Sequence, residues 1–188
     1  MMNGREIIVG VTGGIAAYKT AALVSQLVQQ GAGVSVVMTS AAERFIGVAT
    51  FAALTGRPVV REIFDETHFP LGAHITLAEK ADLLVVAPAS ADFLAKSAHG
   101  AADDLLTTLY LAFNGDVLMA PAMNTVMWEK PAVQRNIAQL RADGVHFVEP
   151  TAGWLSCRQT GKGRMAEPDI ILTAIRDLLE SGAKRNNK

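Results

Sequence analysis

The sequence predicts an α/β chain built on a doubly wound parallel sheet, and three observations carry that expectation. Short apolar, β-rich runs alternate with stretches of helical periodicity, the pattern of strands joined by crossover helices. The run Leu83-Leu-Val-Val-Ala87 is apolar without a break, as a strand covered on both faces must be. No linker, internal repeat or low-complexity tract interrupts the 188 residues, half of which are apolar, so a single domain with a sizeable core is expected over residues 1–182, followed by a disordered tail at 183–188.

Composition narrows the function classes. A net charge of -1 with no basic stripe argues against a nucleic-acid partner. The apolar runs are broken before they could cross a bilayer, and Met1 to Arg5 leads into a strand with no signal-peptide pattern, so a cytoplasmic protein away from the membrane is expected. Cys157 is the sole cysteine, which excludes an internal disulfide and leaves either inert filler or chemistry. High apolar content beside few aromatics also suits a chain that covers surface with copies of itself, although composition alone does not decide that.

The elements follow in order. Glu6 to Val11 is the first strand, and Thr12-Gly-Gly-Ile-Ala-Ala17 leads into a helix ending near Gly31. A glycine turn between strand and helix is a low-specificity anion site, because backbone N–H groups at the helix start point at whatever the glycines let approach. Val34 to Met38 is the second strand. It ends in Thr39-Ser40, not the acidic residue a dinucleotide fold places near there, which favours a mononucleotide phosphate or polyol, or simply a cap for a helix from Ala41. Phe45 either covers an aromatic ligand or faces the core. Val48 to Leu54 is a short helix, and Arg61 to Ala73 a long surface connection of a length often functional.

His74 heads a helix to Lys80, where a histidine is either aimed into a cleft or merely caps. The strand Asp82 to Ala87 is terminated by Pro88-Ala-Ser-Ala-Asp92, small residues that allow a planar ligand close to the backbone. Helices follow over Phe93 to His99 and from Leu105; Asp103 and Asp104 complement the dipole of the second, and no His or Cys spacing nearby supports a metal.

Asp116 opens a buried strand that stops at Pro121 and gives way to Ala-Met-Asn-Thr-Val-Met-Trp128. Asn124 has a donor and an acceptor with which to recognise a carboxylate or amide; Met123, Met127 and Trp128 offer polarisable, flat surfaces. A capping Asn and core methionines explain the same residues equally well. Pro131 to Asp143 is a helix and Val145 to Glu149 a strand, with His146 a packed or edge residue. Pro150 to Glu167 has neither helical nor strand period and reads as a mobile flap, in which Arg158, Lys162 and Arg164 surround Cys157 and favour its reactivity. Asp169 to Ser181 closes the chain. Gly13, Thr39, Ser90 and Asn124 each follow a strand, so a Rossmann-like (flavodoxin-like) sheet gathers them on one edge.

These stretches, with Ala-Asp-Asp104 and Gly161-Lys-Gly-Arg-Met165, together resemble the homo-oligomeric flavin-containing Cys decarboxylases over nearly the whole chain. The Pro121 to Trp128 octet is highly specific to that family; the first glycine turn is weak. The resemblance implies FMN and no metal. By position, Gly13, Gly14 and Ile15 would sit by the flavin, with Phe45 on the cofactor side and Thr39 near the phosphate. Ser90, Ala91 and Asp92 would line the ring and ribityl chain, and Ala122 would approach it. His74 would be the active-site base or orienting group, Asn124 the carboxylate ligand and Cys157 the acid on the flap, while Met127, Ser156 and Arg158 would complete the substrate side. Trimers or multiples of trimers, such as a dodecamer, are implied, with the flavin site shared between subunits.

Within the family the likeness is strongest to members that decarboxylate 4′-phosphopantothenoylcysteine to 4′-phosphopantetheine for coenzyme A, here without the synthetase domain to which many are fused; a separate phosphopantothenate–cysteine ligase would then be a partner. The implied chemistry is oxidation of the thiol carbon to a thioaldehyde, loss of CO₂ to an ene-thiolate, and return of the hydride while Cys157 supplies a proton. Relatives lacking the thiol would stop at the oxidised ene-thiol, so the Cys157 flap counts against a peptidyl-cysteine decarboxylase. The retained His74, Asn124 and Cys157 count against a non-catalytic flavin-binding regulator. One departure stands out: the flap commonly reads Ala-Cys-Gly in the family but Ser156-Cys157-Arg158 here. If that position needs φ > 0, arginine costs on the order of 1 kcal/mol there, or else contacts an acidic part of the substrate.

Overall fold

A computed structural model describes residues 2–65 and 67–185. Strand β1 (Glu6–Val11), helix α1 (Ala17–Gln29) and β2 (Gly33–Met38) form the first crossover unit. A 3₁₀ turn (Ala42–Arg44), α2 (Val48–Thr55) and α3 (Ala73–Lys80) lead to β3 (Leu83–Ala89), α4 (Ala91–Ala98), α5 (Leu105–Ala112) and β4 (Asp116–Pro121). Then come α6 (Thr125–Glu129), α7 (Pro131–Ala142), a short β5 (His146–Phe147), β6 (Thr151–Trp154), β7 (Thr160–Arg164) and α8 (Pro168–Arg185).

Five strands pair in the order β2-β1-β3-β4-β5, and every pairing is parallel. Parallel neighbours need crossovers, and these lay helices on both faces. Alternation along β1 feeds the two cores. Ile7, Val9 and Val11 join Leu23, Leu27, Ile171 and Ile175 under α1 and α8, while Ile8 joins Leu84, Val86, Phe93, Leu106 and Leu140 under α4, α5 and α7. Gly10 has a packing reason: a Cβ there would stand 2.6 Å from Leu106 Cδ1, so a larger residue would force the Leu106 side chain to shift. The connection reverses direction between β1 and β3, which makes their carboxyl ends the topological switch point of the sheet.

Several boundaries differ from the sequence expectation. β3 continues through Pro88 to Ala89, which pairs with Pro121 after a register shift beyond Val86. An irregular edge of this kind tolerates a proline that a regular ladder would reject. The helix expected from Ala41 is only the 3₁₀ turn, α4 begins at Ala91, and β5 shrinks to two residues at the sheet margin. The flap is an antiparallel hairpin, β6 with β7; its strand period is hidden because Gly153 faces Gly161 and glycines carry no polarity signal. α8 extends to Arg185, so residues 183–185 of the expected tail are helical, and 186–188 lie outside the described residues. No described helix is long and apolar enough to cross a membrane.

Candidate active site

Thr12 locks the switch point. Fully buried, its hydroxyl donates to the Pro88 carbonyl at 2.6 Å and accepts from the Ser90 amide at 2.9 Å, so the loops after β1 and β3 are held edge to edge. Gly13 then passes the Thr39–Ala42 loop so closely that a Cβ would meet that of Ala41 at 2.6 Å. Beyond it, Gly14, Ile15 and Ala16 run into the first turn of α1. Ser90 caps α4, its Oγ accepting from the Phe93 amide at 3.2 Å, and leaves small Ala91 on the surface between the two helix starts.

The end of β4 is fastened on both sides. Ala122 N–H donates to the Ala89 carbonyl at 3.2 Å and Met123 N–H to the Gly163 carbonyl at 2.9 Å. Gly163 is required for the second contact: a Cβ on it would lie 2.2 Å from the Met123 oxygen, and its φ is +147°. Asn124 caps α6 through Oδ1, which accepts from Met127 N–H at 3.0 Å. Because a backbone N–H can only donate, this bond fixes the amide orientation and turns Nδ2 toward the hairpin, 3.9 Å from Cys157 Sγ.

The hairpin root is anchored by charge. Lys19, on the first turn of α1 and buried, donates to the Met165 carbonyl at 3.1 Å and to Glu167 Oε1 at 2.9 Å; Arg164 also pairs with Glu167. Lys19 first and Arg164 second hold the Glu167 carboxyl below the ordinary carboxylate value. Lys162 pairs with Glu149 at 3.1 Å and lies 5.4 Å from the Trp128 ring centroid. Two of the three cations expected to surround the thiol are therefore engaged elsewhere. At the tip, Leu155 N–H donates to the Gln159 carbonyl and Arg158 N–H to the Leu155 carbonyl; Arg158 is the only described non-glycine residue with positive φ, at 64°.

Between these parts lies a cleft of about 460 Å³, largely apolar in its lining, at the carboxyl ends of β1, β3 and β4. It brings together ten of the residues expected from sequence: Gly13, Gly14, Ile15, Ser90, Ala91, Ala122, Asn124, Met127, Ser156 and Cys157. Thr39 stands outside, its hydroxyl accepting from Ala42 N–H at 3.3 Å, which is the capping role. Phe45 is half exposed just beyond the 3₁₀ turn, and Asp92 pairs with Lys96 at 3.3 Å. Asp103 also pairs with Lys96, and Asp104 forms a capping box with Thr107, so the acidic pair serves structure. His74 is on α3, away from this lining, with Nδ1 buried and unpartnered among the described residues. Arg158 is exposed at the hairpin tip and is not part of the lining.

Sequence reasoning missed Tyr18, Lys19 and Trp154 on the walls, and gave Met165 no role beyond ending the Gly161 to Met165 stretch. Tyr18 and Lys19 follow the glycine turn directly and were open to notice; Trp154 gave no signal, since only the hairpin fold carries it to the cleft. Among the described residues no three His, Cys, Asp or Glu side chains are grouped as metal ligands. A larger hollow of about 940 Å³ lies at the opposite, amino edge, around Asp82, Asp116 and His146. The carboxyl-edge cleft is the better site candidate, because open α/β sheets bind ligands at that edge and its apolar walls suit an organic ligand.

Small residues, sulfur and aromatic groups line this cleft beside the starts of α1 and α4, which defines an α/β protein with a carboxyl-edge cleft suited to a flat ligand. The chain belongs to the Flavoprotein family, whose model matches residues 1–180. It is similar to the coenzyme A biosynthesis bifunctional protein CoaBC of Bacillus subtilis, 48% identical over 172 residues that make up 92% of this chain and 42% of that protein. The chain thus spans less than half the length of that relative. Among solved structures it is similar to the FMN-dependent cysteine decarboxylase SpaF, with TM-score 0.84 and 34% identity over 97% of this chain and 99% of that one. It is also similar to a mutant PPC decarboxylase complexed with pantothenoylaminoethenethiol, with TM-score 0.85 and 30% identity over 94% of this chain and 98% of that one.

Proposed function

We propose that the chain is an FMN-dependent decarboxylase that converts 4′-phosphopantothenoylcysteine to 4′-phosphopantetheine and CO₂ in coenzyme A biosynthesis. The observation that carries this reading is the juxtaposition of an oriented amide, Asn124, with a thiol, Cys157, over a floor of Gly14, Ala91 and Ala122. FMN fits that floor. The cleft volume falls within the range of roughly 300–1,000 Å³ usual for cofactor sites, and a planar ring meets no branched side chain at Gly13, Gly14, Ala91 or Ala122. When bound, FMN supplies reversible two-electron oxidation of the cysteinyl carbon next to sulfur, which creates the electron sink a simple amino-acid carboxylate lacks.

The chain's own residues do the rest. Asn124 presents Nδ2 as a pure donor to the departing carboxylate, and because the amide is neutral it orients that group without a full charge to stabilise it against leaving. Cys157 holds the proton that the ene-thiolate requires at the end of the sequence. Thr39, two residues before the Ala41 that Gly13 passes, and Phe45, four residues after it, are assigned to the phosphate end and the outer side of the cofactor, with Asp92 beside the ribityl chain. His74 is assigned to the site of a neighbouring copy in a homotrimer or a multiple of trimers; its Nδ1, unpartnered among the described residues, and the exposed Ile15, Tyr18 and Trp154 of the cleft lining support a shared site. A phosphopantothenate–cysteine ligase activity makes the substrate, and the use of a free, exposed thiol as acid suits the reducing cytoplasm.

The test is an absorbance spectrum of freshly purified protein, then reaction with 4′-phosphopantothenoylcysteine and with a cysteine-terminated peptide, with products identified by mass. A yellow protein that forms 4′-phosphopantetheine supports the proposal; release of a peptidyl enethiol instead would identify the peptide-modifying activity. Protein that takes up no FMN supplied in excess would end both readings.

A further inference from the structure

Arg158 is a cation held at a cost with no protein group among the described residues to use it. Its backbone sits at φ 64°, a conformation unfavourable for any side chain with a Cβ, yet the hairpin turn keeps it there. Every other cation of the hairpin and its root is committed: Lys162 to Glu149, Arg164 and Lys19 to Glu167. Among the described residues no carboxylate or carbonyl pairs with the Arg158 side chain, which is exposed. The left-handed residue also redirects the chain. Ser156 and Cys157 line the cleft, and Arg158, the next residue, is exposed at the tip of the same hairpin.

That position bears on which anion it meets. A guanidinium on the reacting carboxylate would stabilise the ground state of a group that must leave as neutral CO₂, and that place is assigned in the proposed function to the neutral Asn124 amide, whose orientation the Met127 bond fixes. A cation outside the mouth instead meets whatever charge lies at the far end of a long substrate arm. Resting on the decarboxylase reading above, we propose that Arg158 is a specificity-determining residue that selects substrates bearing a phosphoryl group remote from the cysteine, through charge-assisted hydrogen bonds of the guanidinium to the phosphate oxygens. Trp154 would form the apolar wall along which the uncharged part of the arm lies.

The experiment compares FMN-loaded wild type, Arg158→Gln and a control cation on α7, Arg135→Gln. Each is measured with 4′-phosphopantothenoylcysteine and its dephosphorylated counterpart, and for equilibrium binding of 4′-phosphopantetheine against pantetheine. Wild type and the control are expected to favour the phosphorylated member by about tenfold to a hundredfold, the range of one or two hydrogen bonds to a charged group, mostly in KM and declining with added salt. Arg158→Gln is expected to lose that preference while retaining its affinity for FMN. An unchanged preference in Arg158→Gln overturns the inference, as does a loss of FMN binding in step with the loss of preference. Wild type that turns over neither compound counts against the decarboxylase reading, and the binding comparison then still decides whether Arg158 reads phosphate.

Discussion

Asn124 Nδ2 lies 3.9 Å from Cys157 Sγ, a contact that spans 33 residues of sequence and joins the end of a parallel strand to the tip of an antiparallel hairpin. Neither group reaches the other without help. Oδ1 is held by Met127 N–H, and the hairpin is pulled down onto α6 where Gly163 faces Met123 and where a Cβ on Gly161 would collide with Thr125 Oγ1 at 2.3 Å.

Asn124→Asp separates the capping role from the binding role. Aspartate caps a helix as well as asparagine does, so thermal stability is expected to stay within about 0.5 kcal/mol. The carboxylate then opposes the substrate's own, and turnover is expected to fall at least about a hundredfold with FMN still bound. Retained turnover in a steady-state assay would remove Asn124 from carboxylate recognition.

Cys157→Ser keeps the size of the side chain and removes the more acidic proton. The variant is expected to release decarboxylated product that lacks two hydrogens, with FMN left reduced after a single pass. Mass analysis of the product and bleaching of flavin absorbance report it together, and normal multiple turnover would show that Cys157 is not the acid.

Thr12→Val strips the Pro88 carbonyl of a donor and the Ser90 amide of an acceptor in a buried place. The Pro88 carbonyl keeps the residue-12 N–H at 3.4 Å, whereas the orphaned Ser90 amide costs about 1–3 kcal/mol, so a drop in melting temperature and weakened FMN binding are expected. Thr12→Ser restores the hydroxyl and should recover most of both.

Arg158→Gly relieves the left-handed strain. The gain is expected to be about 0.5–1 kcal/mol after the extra chain entropy of glycine is deducted, read as slower amide exchange across Leu155 to Gln159. A less protected turn would mean that the arginine conformation is not strained.

Glu167 makes the hairpin root sensitive to acid. A carboxyl whose folded pKa is lowered adds stability that is complete above its unfolded value, near 4.5, and lost as pH falls through the folded value. Melting temperature of the wild type is therefore expected to fall on acidification below that point, more steeply than in Glu167→Gln, whose Lys19 and Arg164 contacts are already weakened at neutral pH. Parallel pH profiles of the two proteins would show Glu167 to be uninvolved.

Local chemistry explains what was legible. Apolar runs of strand length, glycine and proline stops, and helical periodicity are properties of neighbouring residues, so the parallel sheet and the loops carrying Gly13, Ser90 and Asn124 followed from the chain as written. The Asn124 cap was legible as a residue type, since Asn124 bonds within three residues of itself; Ser90, read as a ligand-facing turn residue, and Asp104, read as a dipole partner, proved to be caps of the same local kind. What only the tertiary structure decided depends on distant partners: the strand order that creates the switch point, and the hairpin whose glycines erase its own period. The same holds for the burial of Lys19 against Met165 and Glu167, and for the place of Cys157 in the cleft lining. A close approach between two segments is the outcome of packing the whole core, and no stretch of sequence carries it alone.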